Sequence, residues 1–303
     1  MTEITPRIHS IPAEQAWFTG FQSPNVFLIS DGGEGALVDS GFGDADSVRQ
    51  RLEFLKQHAD VKVKYIILSH HHFDHSSGAK DIREATGADV TLHPEEEKFL
   101  LDWKSDAPQD FELPEDKKEV LERIEAWRKQ AAEAGPLHYV NDGDEFTVGS
   151  LRLRVIHSPG HTMGSVCIYN PEEKALFTGD TALGLGTVAI SPPPHGDMAL
   201  YLESLAKLQK LDCAVMCPGH GIAVHDVKSK LQELIDHRHE RERQILKLID
   251  KGKRTEKAMF NAIYPELDKR LVPAAMRQIE AHLAKLEGEG TVKRDGEEWT
   301  PAG

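Results

Sequence analysis

The chain has few cysteines and no long apolar runs. Its 303 residues include three cysteines, an odd and small number that argues against a disulfide framework and is typical of reduced thiols. No stretch of about 18 apolar residues is present, so no transmembrane helix and no membrane partner are expected. Residues 1–7 lack the basic and apolar regions of a secretory signal. Together these absences predict a cytoplasmic protein.

Positive charge is outnumbered by negative charge, with 36 Lys or Arg against 50 Asp or Glu. The formal net charge is −14, and residues 231–303 hold fourteen Lys or Arg and fourteen Asp or Glu, so residues 1–230 carry the whole excess of negative charge. An acidic body is a poor long-range attractor for nucleic acid. The charge therefore favours a small-molecule substrate over RNA. One local basic run keeps RNA binding open as an alternative, and it consists of Lys251, Lys253, Arg254 and Lys257.

The main feature that is present is a histidine-rich stretch at residues 69–75 (SHHHFDH). It directly follows the apolar run 64–68, which predicts a buried strand. Imidazole nitrogens and carboxylate oxygens suit Zn²⁺ and related first-row metals. An affinity tag is the alternative, but a tag lies at a terminus and lacks the carboxylate. The candidate ligands here are His70, His72, Asp74 and His75, while His71 is either a solvent-facing residue or a substrate contact.

Three further candidate ligands occur downstream, each beside glycine after a predicted strand. They are His161, Asp180 and His220. Asp39 also lies at a strand end, where it is predicted either to cap a turn or to orient a ligand imidazole from behind. Cys213 and Cys217 are weighed as ligands too, but their apolar surroundings favour buried strand positions.

Strands and helices alternate along residues 1–230, which predicts a layered α/β architecture. A helical insertion at about 94–135 is interpreted as a lid that uses Trp103, Phe111 and Trp127, with a surface excursion as the alternative. Residues 231–303 predict three helices and a hairpin at Asp295-Gly296, the pattern of a winged helix. The predicted domains are therefore a catalytic domain at 1–230 and a winged-helix-like domain at 231–303.

The motifs at 69–75, 159–164, 177–180 and 218–221 resemble those of the metallo-β-lactamase superfamily. The resemblance covers most of residues 20–225 and implies an αββα sandwich with two metals at one sheet edge. It implies a first metal at His70, His72 and His161, a second at Asp74, His75 and His220, and Asp180 as the bridge. Two Zn²⁺ per chain are expected, with Mn²⁺ or Fe²⁺ as alternatives.

Within the superfamily, the chain is similar to the β-lactamase-like protein 2 group, through residues 183–187 and the run 237–246. That group includes an endoribonuclease and resembles the thioesterases of fungal polyketide pathways. Residues 190–195 depart from the group's pattern, so the substrates of that group cannot be assigned to this chain from the resemblance.

The implied function is a dinuclear zinc hydrolase that uses a metal-bridging hydroxide, with Asp74 helping to move the proton. An ester, thioester or lactone is the favoured substrate, and single-stranded RNA is the alternative. The oligomeric state, a homodimer included, stays open.

Overall fold

The computed structural model describes residues 2–13, 23–102 and 118–302. The chain divides into two compact units. The first comprises residues 1–157, 164–185 and 212–225, and the second comprises 158–163, 186–211 and 226–303. The domain boundary near residue 230 stays a prediction. Two short segments that precede this boundary belong to the second unit.

Seven strands of the first unit form one sheet in their chain order. They are β1 (Thr2–Thr5), β2 (Ile8–Pro12), β3 (Asn25–Asp31), β4 (Glu34–Val38), β5 (Lys62–Ile67), β6 (Asp89–Leu92) and β7 (Leu137–Tyr139). Strands β1 to β4 pair antiparallel, whereas β4 to β7 run parallel. The carboxyl ends of β4, β5 and β6 therefore lie at one edge. Strands β1, β2 and β7 are not predicted by the apolar pattern, because they are short and partly polar.

A second sheet of the first unit has the order β12-β11-β10-β9-β8. Its strands are β8 (Glu145–Val148), β9 (Leu151–His157), β10 (Val166–Asn170), β11 (Ala175–Gly179) and β12 (Val215–Pro218). Strand β10 is antiparallel to both β9 and β11, and β12 is parallel to β11. Strands β9, β11 and β12 consequently end at the same edge of the sheet.

The two sheets pack face to face, and helices cover the outer face of the first. Because side chains alternate along a strand, Phe27 faces the second sheet, where its ring lies 5.2 Å from that of Phe177. The neighbouring Leu28 belongs to the outer cluster instead. Helices α1 (Ala45–Gln57), α2 (Phe73–Ser76), α3 (Ala79–Thr86), α4 (Pro94–Leu101) and α5 (Lys118–Ala132) belong to this unit.

The predicted insertion at 94–135 contains α4 and α5, and its residues Trp103 and Phe111 lie outside the described residues. Trp127 of α5 is 2% exposed and packs against the rings of Phe42 and Phe73, with centroids 4.7 and 5.7 Å away. For Trp127 the lid interpretation is therefore wrong, because this side chain belongs to the core.

The second unit contains α6 (Met198–Leu208), α7 (Val227–Asp250), α8 (Glu256–Ile263), α9 (Val272–Gly288) and the hairpin of β13 (Val292–Asp295) and β14 (Glu298–Pro301). Thr255 caps α8, since its hydroxyl accepts from the Ala258 N–H at 3.2 Å. Ile245, Met259, Leu283 and Trp299 share one core. The predicted three helices and hairpin are thus present. Among the described residues, no helix is both long and apolar enough to cross a membrane.

Candidate metal centre

Four strands of the first unit deliver the candidate ligands to one region. Asp39 follows β4, residues 69–75 follow β5, Asp180 follows β11, and His220 follows β12. The short helix α2 begins within the histidine stretch and carries Asp74 and His75. Strands β4 and β5 are parallel in one sheet, and β11 and β12 are parallel in the other, so each pair brings its loops to one sheet edge. The contacts described below join the ligands of the two edges.

The imidazoles of His70 and His72 form the first cluster. The Nε2 of His70 lies 3.0 Å from the Nδ1 of His72. The other ring nitrogen of His70, Nδ1, lies 2.9 Å from the hydroxyl of Ser69, which fixes the ring's rotation. Two ring nitrogens at this separation need a proton or a cation between them, so the pair is a suitable half of a metal site.

A second cluster combines two imidazoles and a carboxylate. The Nε2 atoms of His75 and His220 are 3.1 Å apart. The Oδ2 of Asp74 lies 3.3 Å from the Nε2 of His220 and 3.7 Å from that of His75. These three donor atoms lie within 4.8 Å of one another, as a single metal ion requires.

Asp180 lies between the two clusters. Its Oδ1 is 3.4 Å from the Nε2 of His75 and 3.5 Å from that of His220. Donor atoms of Asp180, His75 and His70 also lie within 4.8 Å of one another. The carboxylate therefore contacts the second cluster and reaches a member of the first, as expected of a bridging ligand.

His161 belongs to the second unit. Its Nδ1 lies 3.0 Å from the carbonyl oxygen of Ala189. Donation from Nδ1 leaves Nε2 as the nitrogen that can bind metal. Its role as the third imidazole of the first metal stays a prediction.

Asp39 orients the imidazoles from behind, as predicted. Its carboxylate accepts from the N–H of Ser69 at 2.7 Å and from the Ser69 hydroxyl at 2.9 Å, and it lies 2.8 Å from the Nδ1 of His75. Asp39 has a φ of 63°, which is strained for a residue with a side chain. The strain is tolerated because one buried carboxylate fixes His75 directly and His70 through Ser69.

Charge and burial have opposite effects on the pKa values of the residues in the second cluster. Burial raises the pKa of Asp74, but the charge of His75 and the hydrogen bond from His220 outweigh burial and lower it to about 2. Burial lowers the pKa values of His75 and His220, but Asp74 and Asp180 outweigh it and raise both. Asp74 is therefore ionised at neutral pH. Nitrogen and carboxylate donors arranged around excess negative charge fit divalent first-row metals such as Zn²⁺.

Gly219 allows the second cluster to close. A Cβ atom at this position would lie 2.6 Å from the Oδ1 of Asp180 and 2.8 Å from the Cε1 of His75. Any other residue would therefore push these two ligands apart. The glycine before His220 thus has a packing reason.

Sequence reasoning missed Glu96, a fully buried carboxylate on α4. Its Oε2 accepts from the backbone N–H of His71 at 2.8 Å and contacts the ring Nδ1, while its Oε1 accepts from the N–H of Gly164 at 2.6 Å. Glu96 thereby joins the histidine stretch to the loop before β10. Its signal was weak, because a glutamate in the first turn of a helix is usually solvated.

His71 is 6% exposed, and its ring stacks on Phe99 with centroids 5.3 Å apart. The solvent-facing interpretation of His71 is therefore wrong.

Cys217 is a buried strand residue, as favoured from the sequence, whereas Cys213 is only half-buried and precedes β12, so the predicted buried strand position of Cys213 is wrong. Burial raises the pKa of Cys217 to about 12 and that of Cys213 to about 11, and none of the three cysteines forms a disulfide. Metals bind the thiolate, which these values suppress. Among the described residues, the groups that could hold a metal contain histidine and aspartate alone.

Two family models match the chain. The model of the metallo-beta-lactamase superfamily matches residues 19–220, and that of the beta-lactamase associated winged helix domain matches residues 255–299. The chain belongs to the metallo-β-lactamase superfamily, with the α/β sandwich of that superfamily and a C-terminal winged helix. It is a metal-dependent hydrolase of that class.

Individual relatives show which members of the superfamily the chain is similar to. A beta-lactamase-like protein 2 homolog of Caenorhabditis elegans is 30% identical over 273 residues, covering 90% of this chain and 81% of the relative. An atrochrysone carboxyl ACP thioesterase of Aspergillus fumigatus is 26% identical over 285 residues, covering 93% and 77%. A crystal structure of a metallo-beta-lactamase family protein from Thermus thermophilus superposes with a TM-score of 0.77 at 27% identity, covering 98% and 99%. The predicted resemblance to this group is confirmed.

Proposed function

We propose that the protein is a dinuclear zinc hydrolase that cleaves an acyl ester, thioester or lactone. The observation that carries the proposal is the position of Asp180, whose donor atom lies within reach of His70 in one cluster and His75 in the other. The first metal is assigned to His70, His72 and His161, and the second to Asp74, His75 and His220. Asp180 would be shared by the two metals.

The chain's own residues prepare this site. A bridged pair of zinc ions supplies, when bound, a hydroxide nucleophile at neutral pH and polarisation of a carbonyl oxygen. Asp39 and Ser69 hold the rings of His75 and His70 in orientation before any ion arrives. Asp74, whose pKa is about 2, is ionised at neutral pH and is the carboxylate assigned to accept and pass on the proton.

Two exposed apolar side chains that closely follow ligands along the chain support an acyl substrate. Leu185 is 67% exposed and Ile222 is 78% exposed. They lie on the loops that follow Asp180 and His220, and these loops touch, since a Cβ at Gly184 would meet the carbonyl oxygen of Ile222 at 2.3 Å. Large apolar side chains next to a polar centre are suited to hold the alkyl part of an ester. The thioesterase named among the relatives supports the same class.

RNA remains the second candidate because of the basic run in the winged helix. Lys251, Lys253, Arg254 and Lys257 are all exposed. Arg254 has a carboxylate of Glu298 at 3.9 Å, however, and the surrounding residues 231–303 are neutral overall. A neutral module with one short basic run gives weak attraction to phosphates.

A parallel assay separates the two classes. Thioesters, lactones and single-stranded RNA are incubated with the zinc-loaded protein, with His72→Ala as the inactive control. We expect acyl turnover that the fourfold alanine variant of the basic run leaves unchanged. RNA cleavage that is salt-sensitive and collapses in the fourfold variant would overturn the acyl assignment.

A further inference from the structure

Helix α7 carries a buried arginine with few partners. Arg238 is fully buried. Its Nη2 donates to the carbonyl of Val188 at 2.7 Å, and its guanidinium lies 5.1 Å from the ring centroid of Tyr201. Among the described residues, its Nε and Nη1 have no hydrogen-bond partner. A buried cation is costly, and apolar residues of similar volume often stabilise a core better. Stability alone therefore does not explain this arginine.

The carbonyl that Arg238 holds is next to the one that His161 uses. Val188 accepts from Arg238, and the carbonyl of the following residue, Ala189, lies 3.0 Å from the Nδ1 of His161. The carbonyl of Val188 and the N–H and Cα of Ala189 lie in one rigid peptide plane. Fixing the carbonyl of Val188 therefore fixes the Cα of Ala189, to which the carbonyl group next to His161 is bonded.

The second contact of Arg238, with the ring of Tyr201, also connects it to His161. Gly160, with a φ of 135°, packs against the backbone of Tyr201 so closely that a Cβ there would lie 2.3 Å from the Tyr201 Cα. The carbonyl of Gly160 also accepts from the N–H of Asp197 at 2.9 Å. The loop before His161 is thus seated on the residue whose ring lies under the guanidinium.

We propose that Arg238 is a positioning residue for His161. It holds the Val188–Ala189 peptide and the ring of Tyr201. These two groups contact His161 and the loop before it, so Arg238 restricts the orientation of the His161 Nε2. Helix α7 thereby contributes to metal binding without supplying a ligand. The inference rests on the proposed role of His161 as a ligand. All the residues involved belong to the second unit.

The test is the zinc affinity of metal-free protein, measured by competition with a chromophoric chelator. Arg238→Met removes the hydrogen bond but keeps an apolar stem, and we expect it to weaken zinc binding about 10- to 100-fold, as for other groups behind metal-bound histidines. Arg238→Lys keeps a donor and should recover most of that loss. The matched control is Arg241→Met on the same helix, whose guanidinium lies over Tyr264 at 4.6 Å. It should bind zinc like the wild type.

Two results would overturn the inference. One is wild-type zinc affinity in Arg238→Met, and the other is an equal loss in Arg238→Met and Arg241→Met, which would indicate a general loss of packing. His161→Ala separates this failure from that of the proposed function. If His161→Ala keeps both metals at wild-type affinity, the ligand set is wrong and the inference fails with it.

Hydrogen exchange of the wild-type protein gives a test that does not depend on a variant folding. Because coupling between two sites is reciprocal, zinc binding should stabilise what Arg238 holds. We expect added zinc to slow amide exchange at residues 186–190 and in the turn of α7 around Arg238. Slowing confined to residues 70–75 and the other ligand loops would contradict the inference.

Discussion

Asp180 is the residue on which the two clusters of the metal centre depend. Its Oδ1 lies 3.4 Å from the Nε2 of His75, and its donor atom is grouped with that of His70. No other carboxylate among the described residues is grouped with both histidines. A change here should therefore separate the two metal sites without disturbing the surrounding sheets.

Asp180→Ala should lose one of the two metals and nearly all turnover while the protein stays folded. Elemental analysis after zinc loading and the rate with a thioester measure both effects. Asp46→Ala, an exposed position on α1, is the control and should retain both metals. Unchanged turnover of Asp180→Ala at equal metal content would refute the bridging role.

Glu96→Gln should weaken zinc binding through its contacts to the backbone. Oε2 of Glu96 accepts from the His71 N–H and Oε1 from the Gly164 N–H. An amide can accept at one end only, so one buried N–H loses its partner, at a cost of about 1–3 kcal/mol. Calorimetric zinc titration should show the loss. Glu95→Gln, at the exposed neighbouring position on α4, should bind zinc like the wild type. Equal zinc affinity in the two variants would show that Glu96 does not support the metal centre.

At the scale of elements, the strand ends decide where chemistry can occur. Strands β11 and β12 are parallel and end side by side. The loops that follow them carry ligands first and exposed apolar residues a few positions later. Leu185 follows Asp180 by five positions, and Ile222 follows His220 by two.

The double variant Leu185→Ser and Ile222→Ser should raise the Michaelis constant for long-chain thioesters and leave acetyl thioesters nearly unaffected. Each Å² of apolar surface that is no longer buried on binding weakens the affinity by about 25 cal/mol, so a difference of about tenfold or more is expected between the two substrates. Leu271→Ser, which changes an exposed leucine of the second unit, is the control. An equal change for both chain lengths would show that these residues do not contact the alkyl group.

At the scale of the whole molecule, residues 1–230 carry the excess negative charge, whereas residues 231–303 are neutral overall. The second unit has its own buried charge cluster on α7 and α9. The carboxylate of Glu242 lies 3.0 Å from the Nζ of Lys285 and 3.1 Å from the Nδ1 of His239. This cluster should make the stability of the unit sensitive to acid.

Burial raises the pKa of Glu242, but its contacts with His282, His239 and Lys285 outweigh burial and lower the value to about 2. A carboxyl group whose pKa is lowered by folding stabilises the fold at pH values above its ordinary pKa, near 4.5. That stabilisation is lost as the pH falls toward 2. Glu242→Gln should therefore be less stable than the wild type at pH 7, with the difference shrinking below about pH 4.5.

Urea unfolding at pH 7 and pH 3.5 measures this convergence. The control is Glu240→Gln, at an exposed position of α7 where the carboxylate pairs with Arg243, and it should change little at either pH. A gap between Glu242→Gln and the wild type that stays constant with pH would contradict the assignment of the charge cluster.

The sequence by itself determined the local chemistry of this protein. The stretch 69–75, the glycine turns before His161 and His220 and the alternation of strands and helices are short-range patterns, and the ligand candidates could be named from them. The cap at Thr255 and the hairpin at Asp295-Gly296 were predictable for the same reason. Each depends on neighbours within a few residues.

The tertiary structure alone decided which residues support those ligands. Glu96 meets Gly164 across 68 positions, and Arg238 meets Val188 across 50. Trp127, which the sequence placed on a lid, is instead buried against Phe42 and Phe73. Side-chain type does not reveal such contacts, because a glutamate or an arginine is usually solvated and becomes a buried partner only where the fold brings a backbone group to it.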